Sequence, residues 1–352
     1  MKEYQITLLP GDGVGPEVVN AARQVLEMVE KVHGNFKLQF MEYPAGKGAY
    51  DTYGSPLPEH TIQALRQSDA TLLGAMSTGL VPPPSPMGQL RKDLNLYAEV
   101  RPIKSYPGVW SLRPDIDIVC IRENTEGFLA DRNLYKGYGE FMPNEDMVMS
   151  LRVLTRTGIE QITRFAFEYA KTQKRRKVTA AHKANVLRYG DGFFLEIVRE
   201  IAKEYPEIEL ADEYIDSVAN NIITAPERYD IILTTNLFGD ILSDEAAALV
   251  SNLVPTANIG PEAAVFRPIH EAKLNEVGQN IINPLSTILC GSMILRHLGE
   301  LSAAQAIDEA IASMLTEGQV RTKDLGGQSS TSEVTATVCS KIAGLNIIGQ
   351  KG

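Results

Sequence analysis

Short apolar runs alternate along this chain with longer amphipathic stretches. Ile6 to Leu9 predicts a strand, and the segment that follows predicts a helix from Pro16 to just before Gly34. A proline near the first turn and a glycine past the end are the usual helix punctuation. Further strands are predicted at Ala70 to Leu73, Ile116 to Ile121, Lys177 to Ala181 and Ile231 to Thr235, with helical patterns between them. This alternation indicates an α/β protein. Asn133 to Asn144, rich in Gly, Tyr and Pro, precedes a second β-like run, Met147 to Val153, and suggests an arm that packs on a partner. No internal repeat or low-complexity linker marks a domain boundary.

Composition narrows the class. The 352 residues suffice for one large or two medium domains, and a net charge of −10 gives no electrostatic footprint for nucleic acid. Cys120, Cys290 and Cys339 lie far apart in apolar stretches with no CxxC spacing, and read as buried, reduced thiols. No basic-then-apolar leader opens the sequence and no apolar run is long enough to span a bilayer, so no membrane association and a cytoplasmic location are expected.

Three predicted strands end in polar residues: Arg122-Glu123-Asn124, His182-Lys183-Ala184-Asn185, and Asn236. Ligands in open α/β sheets sit at the carboxyl ends of strands, and three such ends together fit ordinary loop starts poorly. Asn236, Asp240 and Asp244 are spaced i, i+4, i+8 and share one face if the segment is helical. That face is either a solvated acidic surface or a site for a divalent cation, and oxygen-only ligands favour Mg²⁺ or Mn²⁺. Arg91, Arg101, Arg122 and Lys183 form a complementary basic set. They are either surface ion-pair partners or the grip for an anion; guanidinium forks match carboxylates, which points to a di- or tricarboxylate. Gly11-Asp12-Gly13-Val14-Gly15-Pro16-Glu17 joins a strand to a helix without fitting GxGxxG, and reads equally as a phosphate approach or as a plain tight turn.

The motifs GDGVGPE (11–17), LRKDLNLYAEVRP (90–102), RENTEG (122–127), HKANV (182–186), TTNLFGDILSD (234–244), NIGPEAAVF (258–266) and RTKDLGG (321–327) occur in one order. On them the chain resembles, along nearly its whole length, the β-decarboxylating dehydrogenases of isocitrate, homoisocitrate, isopropylmalate and tartrate. The resemblance implies an isocitrate/isopropylmalate dehydrogenase-like two-domain fold, not a Rossmann fold. One domain would comprise residues 1–98 and 250–352 with the cofactor loop, and the other 99–249 with the arm and dimer interface. It also implies that Arg91, Arg101 and Arg122 grip the malate part of the substrate, and that Asp240 and Asp244 bind Mg²⁺ or Mn²⁺ with Asp216 of a neighbouring subunit. Lys183, also from the neighbour, would act beside the substrate hydroxyl. The active site would then be shared across a homodimer. Asn185, His270, Asn275 and Asn283 stand at cofactor-binding positions, Asn275 in place of the aspartate that holds the adenosine ribose in NAD-specific members.

Three departures from the family pattern stand out. Leu129 occupies the place of the tyrosine general acid, with Tyr135 or Tyr138, water, or Lys183 as substitutes. The cofactor loop reads His270-Glu271-Ala272-Lys273-Leu274-Asn275 where relatives read roughly HGSAPD. No Lys/Arg cluster there argues for a 2′-phosphate, so NAD is expected, with NADP left open. Ser85 matches the isocitrate-type serine, whereas Met87 replaces the accompanying polar residue and either suits an alkyl substituent or packs in the core. The expected activity is oxidation and decarboxylation of a 2-hydroxy-3-carboxy acid. The alternatives are a catalytically weak or regulatory subunit, and a dehydrogenase that retains the carboxylate.

Overall fold

The computed structural model describes residues 1–82, 85–129, 134 and 136–349. The chain forms two compact units, one of Met1–Leu94, Ser105–Pro114 and Ser251–Gly352, the other of Asn95–Lys104 and Asp115–Val250. The return of Ser105–Pro114 to the first unit has no counterpart in the boundaries expected from sequence.

In the first unit, β1 (Lys2–Gly11) pairs in parallel with β2 (Phe36–Glu42) on one side and β3 (Ala70–Ala75) on the other. The sheet continues through β12 (Ala264–Pro268), parallel to β3, to β11 (Pro255–Ile259), antiparallel to β12. Ile6 to Leu9 are all buried, as expected of a strand covered on both faces. Helix α1 (Gly15–His33) closes on Gly34, whose φ of 67° lets its N–H reach Glu30 O at 2.8 Å. It packs against the sheet and against α9 (Leu285–His297) and α11 (Thr331–Gly349). Of this unit's other helices, α2 (Lys47–Tyr53), α3 (Glu59–Gln67), α4 (Pro86–Asp93) and α10 (Leu301–Glu317), only α4 carries expected site residues.

The second unit has a sheet of order β4 (Ala98–Lys104), β5 (Asp117–Glu123), β10 (Ile231–Thr234), β8 (Lys177–His182), β9 (Glu209–Tyr214). The last four run parallel and β4 is antiparallel to β5. Helices α5 (Arg156–Thr172), α6 (Gly190–Ala202), α7 (Ile215–Thr224) and α8 (Asn236–Ala248) follow the strands. β5, β8 and β10 are almost wholly buried, which is why they read as continuous apolar runs. Between β5 and α5 lies a hairpin of β6 (Glu140–Asn144) and β7 (Met147–Ser150) in which every residue is exposed.

Candidate active site

The carboxyl ends of the second unit's central strands gather the charged residues. Arg122 sits near the end of β5, directly opposite Glu99 of β4 and beside Thr234 of β10. Arg101 is two residues from Glu99, so all three side chains share one face of the sheet. Arg101 lies within β4. Helix α8 starts just beyond β10, so the expected helical face exists: Asn236, Asp240 and Asp244 lie on successive turns.

These residues form one ionic lattice. Arg122 donates from Nη1 to Asp240 and from Nη2 to Asn236 Oδ1 at 3.0 Å. Arg101 pairs through Nη1 with Asp244, and its Nη2 lies 3.8 Å from Asp240. Glu99 Oε1 lies 2.9 Å from Arg101 Nε and 3.3 Å from Arg122 Nη1. Both arginines and Glu99 are buried, whereas the Asp240 and Asp244 side chains are 47% and 68% exposed. Burial opposes the charge on Arg101, but Glu99, Asp244 and Asp240 outweigh it and hold the guanidinium above its usual range. Gly239 is required on this helix because a Cβ there would meet Arg122 Cγ at 2.6 Å.

Lys183 follows β8 and forms a separate ion pair with Asp216 on α7. Its side-chain nitrogen lies 5.8 Å from the Tyr214 ring centre. Hydrogen bonding from Lys183 lowers the pKa of Asp216. Two buried acceptors fix the turn beneath it: Asp191 Oδ2 takes the Lys183 N–H at 2.5 Å, and His182 Nδ1 takes the Ala184 N–H at 3.1 Å. Asn185 is exposed.

Several polar residues of the motifs serve the fold. Glu123 accepts from the N–H groups of Thr125 and Glu126 at 2.6 and 2.9 Å. Asn124 donates to Leu96 O at 3.2 Å. Glu126 accepts the Thr155 N–H at 2.8 Å, at the start of α5, and burial raises its pKa. Cys120, paired across the ladder with Arg101, is a buried thiol pushed up to about 12 by burial, so it is no nucleophile. Cys290 is buried likewise, but Cys339 is half-buried, so the expectation of three buried thiols fails there.

In the first unit, α4 carries Ser85 as its N-cap, with Oγ accepting from Gly88 N at 3.1 Å. Met87 is 9% exposed and lines a cavity of about 20 Å³ with Met76, Arg267 and His270. Arg91, one turn further, is half-buried. The glycine loop proves to be a tight turn. Asp12 is buried and accepts from Lys47 N at 2.7 Å and Ser77 N at 3.0 Å. Gly13, at φ 59°, lies where a Cβ would meet Ala272 O at 1.9 Å, and Val14 N donates to that oxygen at 2.9 Å. The glycines thus bring the turn against the 270–275 loop.

In that loop, burial pushes the His270 pKa down, Nδ1 lies 3.1 Å from Glu271 O, and Nε2 has no hydrogen-bond partner among the described residues. Glu271 and Asn275 are exposed, and Lys273 adopts φ 42°. Asn283 donates to Asp324 Oδ2 at 2.9 Å and accepts from Leu285 N at 3.0 Å. Tyr135 lies outside the described residues; Tyr138 is 83% exposed and shares a cavity of about 410 Å³ with Phe128, Gly139, Glu140 and Ser150.

Residues 5–338 match the family described as isocitrate/isopropylmalate dehydrogenase. The chain belongs to that family. It is 42% identical over 340 residues to 3-isopropylmalate dehydrogenase of Methanothermobacter thermautotrophicus, covering 96% of this chain and 98% of that one. It is also 42% identical over 345 residues to 3-isopropylmalate/3-methylmalate dehydrogenase of Methanocaldococcus jannaschii, covering 96% and 99%. The crystal structure of isocitrate dehydrogenase from Methylococcus capsulatus superposes with a TM-score of 0.86 at 38% identity, covering 97% and 99%. The protein is therefore an oxidoreductase of the isocitrate/isopropylmalate dehydrogenase family, with that family's α/β fold.

The donor set suits a hard divalent cation: Asp240 and Asp244 offer accessible carboxylate oxygens on one helix face, without His or Cys. Among the described residues no group of three His, Cys, Asp or Glu could hold a metal ion. Asp216, expected to join those aspartates from a second copy, pairs with Lys183 within its own chain, and neither residue bonds to the arginine–aspartate lattice of the same chain among the described residues.

Proposed function

We propose that this protein is a homodimeric, Mg²⁺- or Mn²⁺-dependent enzyme that oxidises and decarboxylates a 2-hydroxy-3-carboxy acid with NAD. The acid is isocitrate, isopropylmalate or a related malate. The observation that carries the reading is the pairing of Arg101 and Arg122 with Asp244 and Asp240. Two guanidiniums that match carboxylates stand beside two carboxylates that match a cation, each set holding the other's charge.

On this reading Arg91, Arg101 and Arg122 bind the substrate carboxylates, and Asp240 and Asp244 bind the cation with Asp216 of a second copy. A bound divalent cation supplies Lewis acidity toward the substrate's hydroxyl and carboxylate oxygens. Lys183 of the second copy, ion-paired with Asp216 within its own chain, would hold the hydroxyl oxygen and pass its proton on to solvent, and a bound nicotinamide would supply the acceptor for the C2 hydride. The C3–carboxylate bond of the 2-oxo acid then breaks, CO₂ departs, and the electron pair left on the substrate is protonated at C3. His270, Asn275 and Asn283, with Asn185, would hold the dinucleotide; exposed Glu271 disfavours a 2′-phosphate there.

The second copy is supported by apolar surface in the second unit. Leu237 and Ile241 flank the aspartates on α8 yet are 44% and 59% exposed. The hairpin adds Phe141, Met142, Met147, Val148 and Met149, all exposed.

The test is a panel of isocitrate, homoisocitrate, alkylmalates, D-malate and tartrate, with NAD or NADP and Mn²⁺, following reduced nicotinamide and CO₂ together. Equal yields of both from at least one acid support the reading; no reduced nicotinamide from any overturns it. Ligand-induced thermal stabilisation without turnover would instead mark a regulatory subunit, a reading that Leu129 and Glu271 favour.

A further inference from the structure

We propose that Glu99 sets the charge of the substrate, restricting the site to acids with two carboxylates and an uncharged third substituent. The inference rests on the carboxylate-binding reading above and narrows it. Glu99 is 2% exposed, and the arginines it touches, Arg101 and Arg122, are 5% and 4% exposed. Its position opposite Arg122 in the ladder and two residues from Arg101 lets one oxygen serve both. A carboxylate held between two buried guanidiniums stays ionised, because neutralising it would leave two desolvated cations facing each other. Salt does not screen such a charge as it screens Asp240 and Asp244, which lie half in solvent. Arg101 and Arg122 with Glu99 therefore present a single net positive charge.

That subtraction decides the balance. The proposed site has four cationic side chains, Arg91, Arg101, Arg122 and Lys183, and a divalent cation. Against them stand the three aspartates and Glu99, leaving roughly two positive charges. A dicarboxylate neutralises that set, whereas a tricarboxylate brings one surplus negative charge into a buried region. Were Glu99 neutral, the balance would be roughly three, matching a tricarboxylate.

The experiment uses the full chain loaded with Mg²⁺ and without nicotinamide, so that binding is read without turnover. Calorimetry measures Kd for isopropylmalate, a dicarboxylate, and isocitrate, a tricarboxylate. The native protein is expected to favour the dicarboxylate. Glu99→Gln keeps the shape and one acceptor oxygen, and should shift the affinity ratio toward the tricarboxylate by about tenfold, from loss of one unit charge near the ligand. A ratio the substitution leaves unchanged overturns the inference. So does equal binding of both acids by the native protein, a result available even if the Gln variant does not fold. If neither acid binds the native protein, the carboxylate-binding reading itself falls.

Discussion

The backbone N–H of Lys183 donates to Asp191 Oδ2 at 2.5 Å. The other oxygen of Asp191 accepts from Arg152 Nη1 at 2.6 Å, and Arg152 Nη2 donates to Thr235 Oγ1 at 3.0 Å. Thr235 immediately precedes α8, so one wholly buried carboxylate ties the lysine turn to the start of the helix that carries Asp240 and Asp244. Asp191→Ala leaves the Arg152 charge and the Lys183 N–H without this acceptor. The expected loss of stability is about 3–5 kcal/mol, read by denaturant unfolding. Arg152→Lys keeps the charge but not the fork, and should lose less.

Gly13→Ala should damage the fold and cofactor binding together. At φ 59° a Cβ costs about 1–2 kcal/mol in backbone strain alone. Its contact at 1.9 Å with Ala272 O also forces the 270–275 loop away and breaks the Val14 N–H bond to that oxygen. A lower Tm with a proportionally weaker Kd for NAD is the expected pair of results; a weaker Kd at unchanged Tm would point to direct contact instead.

Stability should fall on mild acidification. Burial lowers the pKa of His270 and of His297, in the latter case against an opposing pull from Asp69. The unfolded chain then binds more protons than the native one between the folded-state values and the ordinary 6.5. Each contribution is complete above about pH 6.5 and is lost as pH falls toward the folded-state values. His297 packs edge-on against Phe266, with ring centres 5.7 Å apart, so it titrates only by losing an apolar contact. His297→Gln should flatten the slope of Tm against pH below 6.5, the ordinary histidine value; an unchanged slope would assign it elsewhere.

The strands that carry the site were legible because β5, β8 and β10 are buried on both faces and end abruptly in polar residues. The roles within those ends were not. Arg122 and Glu123 are adjacent, yet one faces the aspartates and the other caps its own loop. Only the pleat and the turn separate them, and neither is written in residue type. Nothing in AEVRP singles out Glu99, because its partner Arg122 lies 23 residues away in sequence. Asp12 likewise ties its own turn to the loops at 47 and 77, an architectural role that the motif's spacing does not announce.

The exposed hairpin should govern self-association. Val148 is 57% exposed at the centre of β7, with Met147 and Met149 beside it. A carboxylate introduced there is harmless in a free chain and costly once covered. Val148→Asp should therefore shift sedimentation toward monomer and reduce activity in proportion, with the shift reversed at higher protein concentration. Loss of activity without change in sedimentation would count against a shared site.

Leu129→Tyr tests the last chemical step. Leu129 is half-buried and follows Phe128 at the edge of the cavity that Tyr138 also lines. A positioned general acid contributes about 10²–10⁴-fold, so protonation at C3 by water or by a distant group should limit turnover in the native chain. Such a limit shows as a solvent isotope effect on kcat. With tyrosine at 129, kcat should rise about tenfold or more and the isotope effect should shrink, because a phenol then delivers the proton. KM for the acid should hold, since the carboxylate grip of Arg101 and Arg122 is untouched. An unchanged kcat with an unchanged isotope effect would mean that another group already serves, and Tyr138→Phe would then be expected to lower turnover where Leu129→Tyr had not raised it.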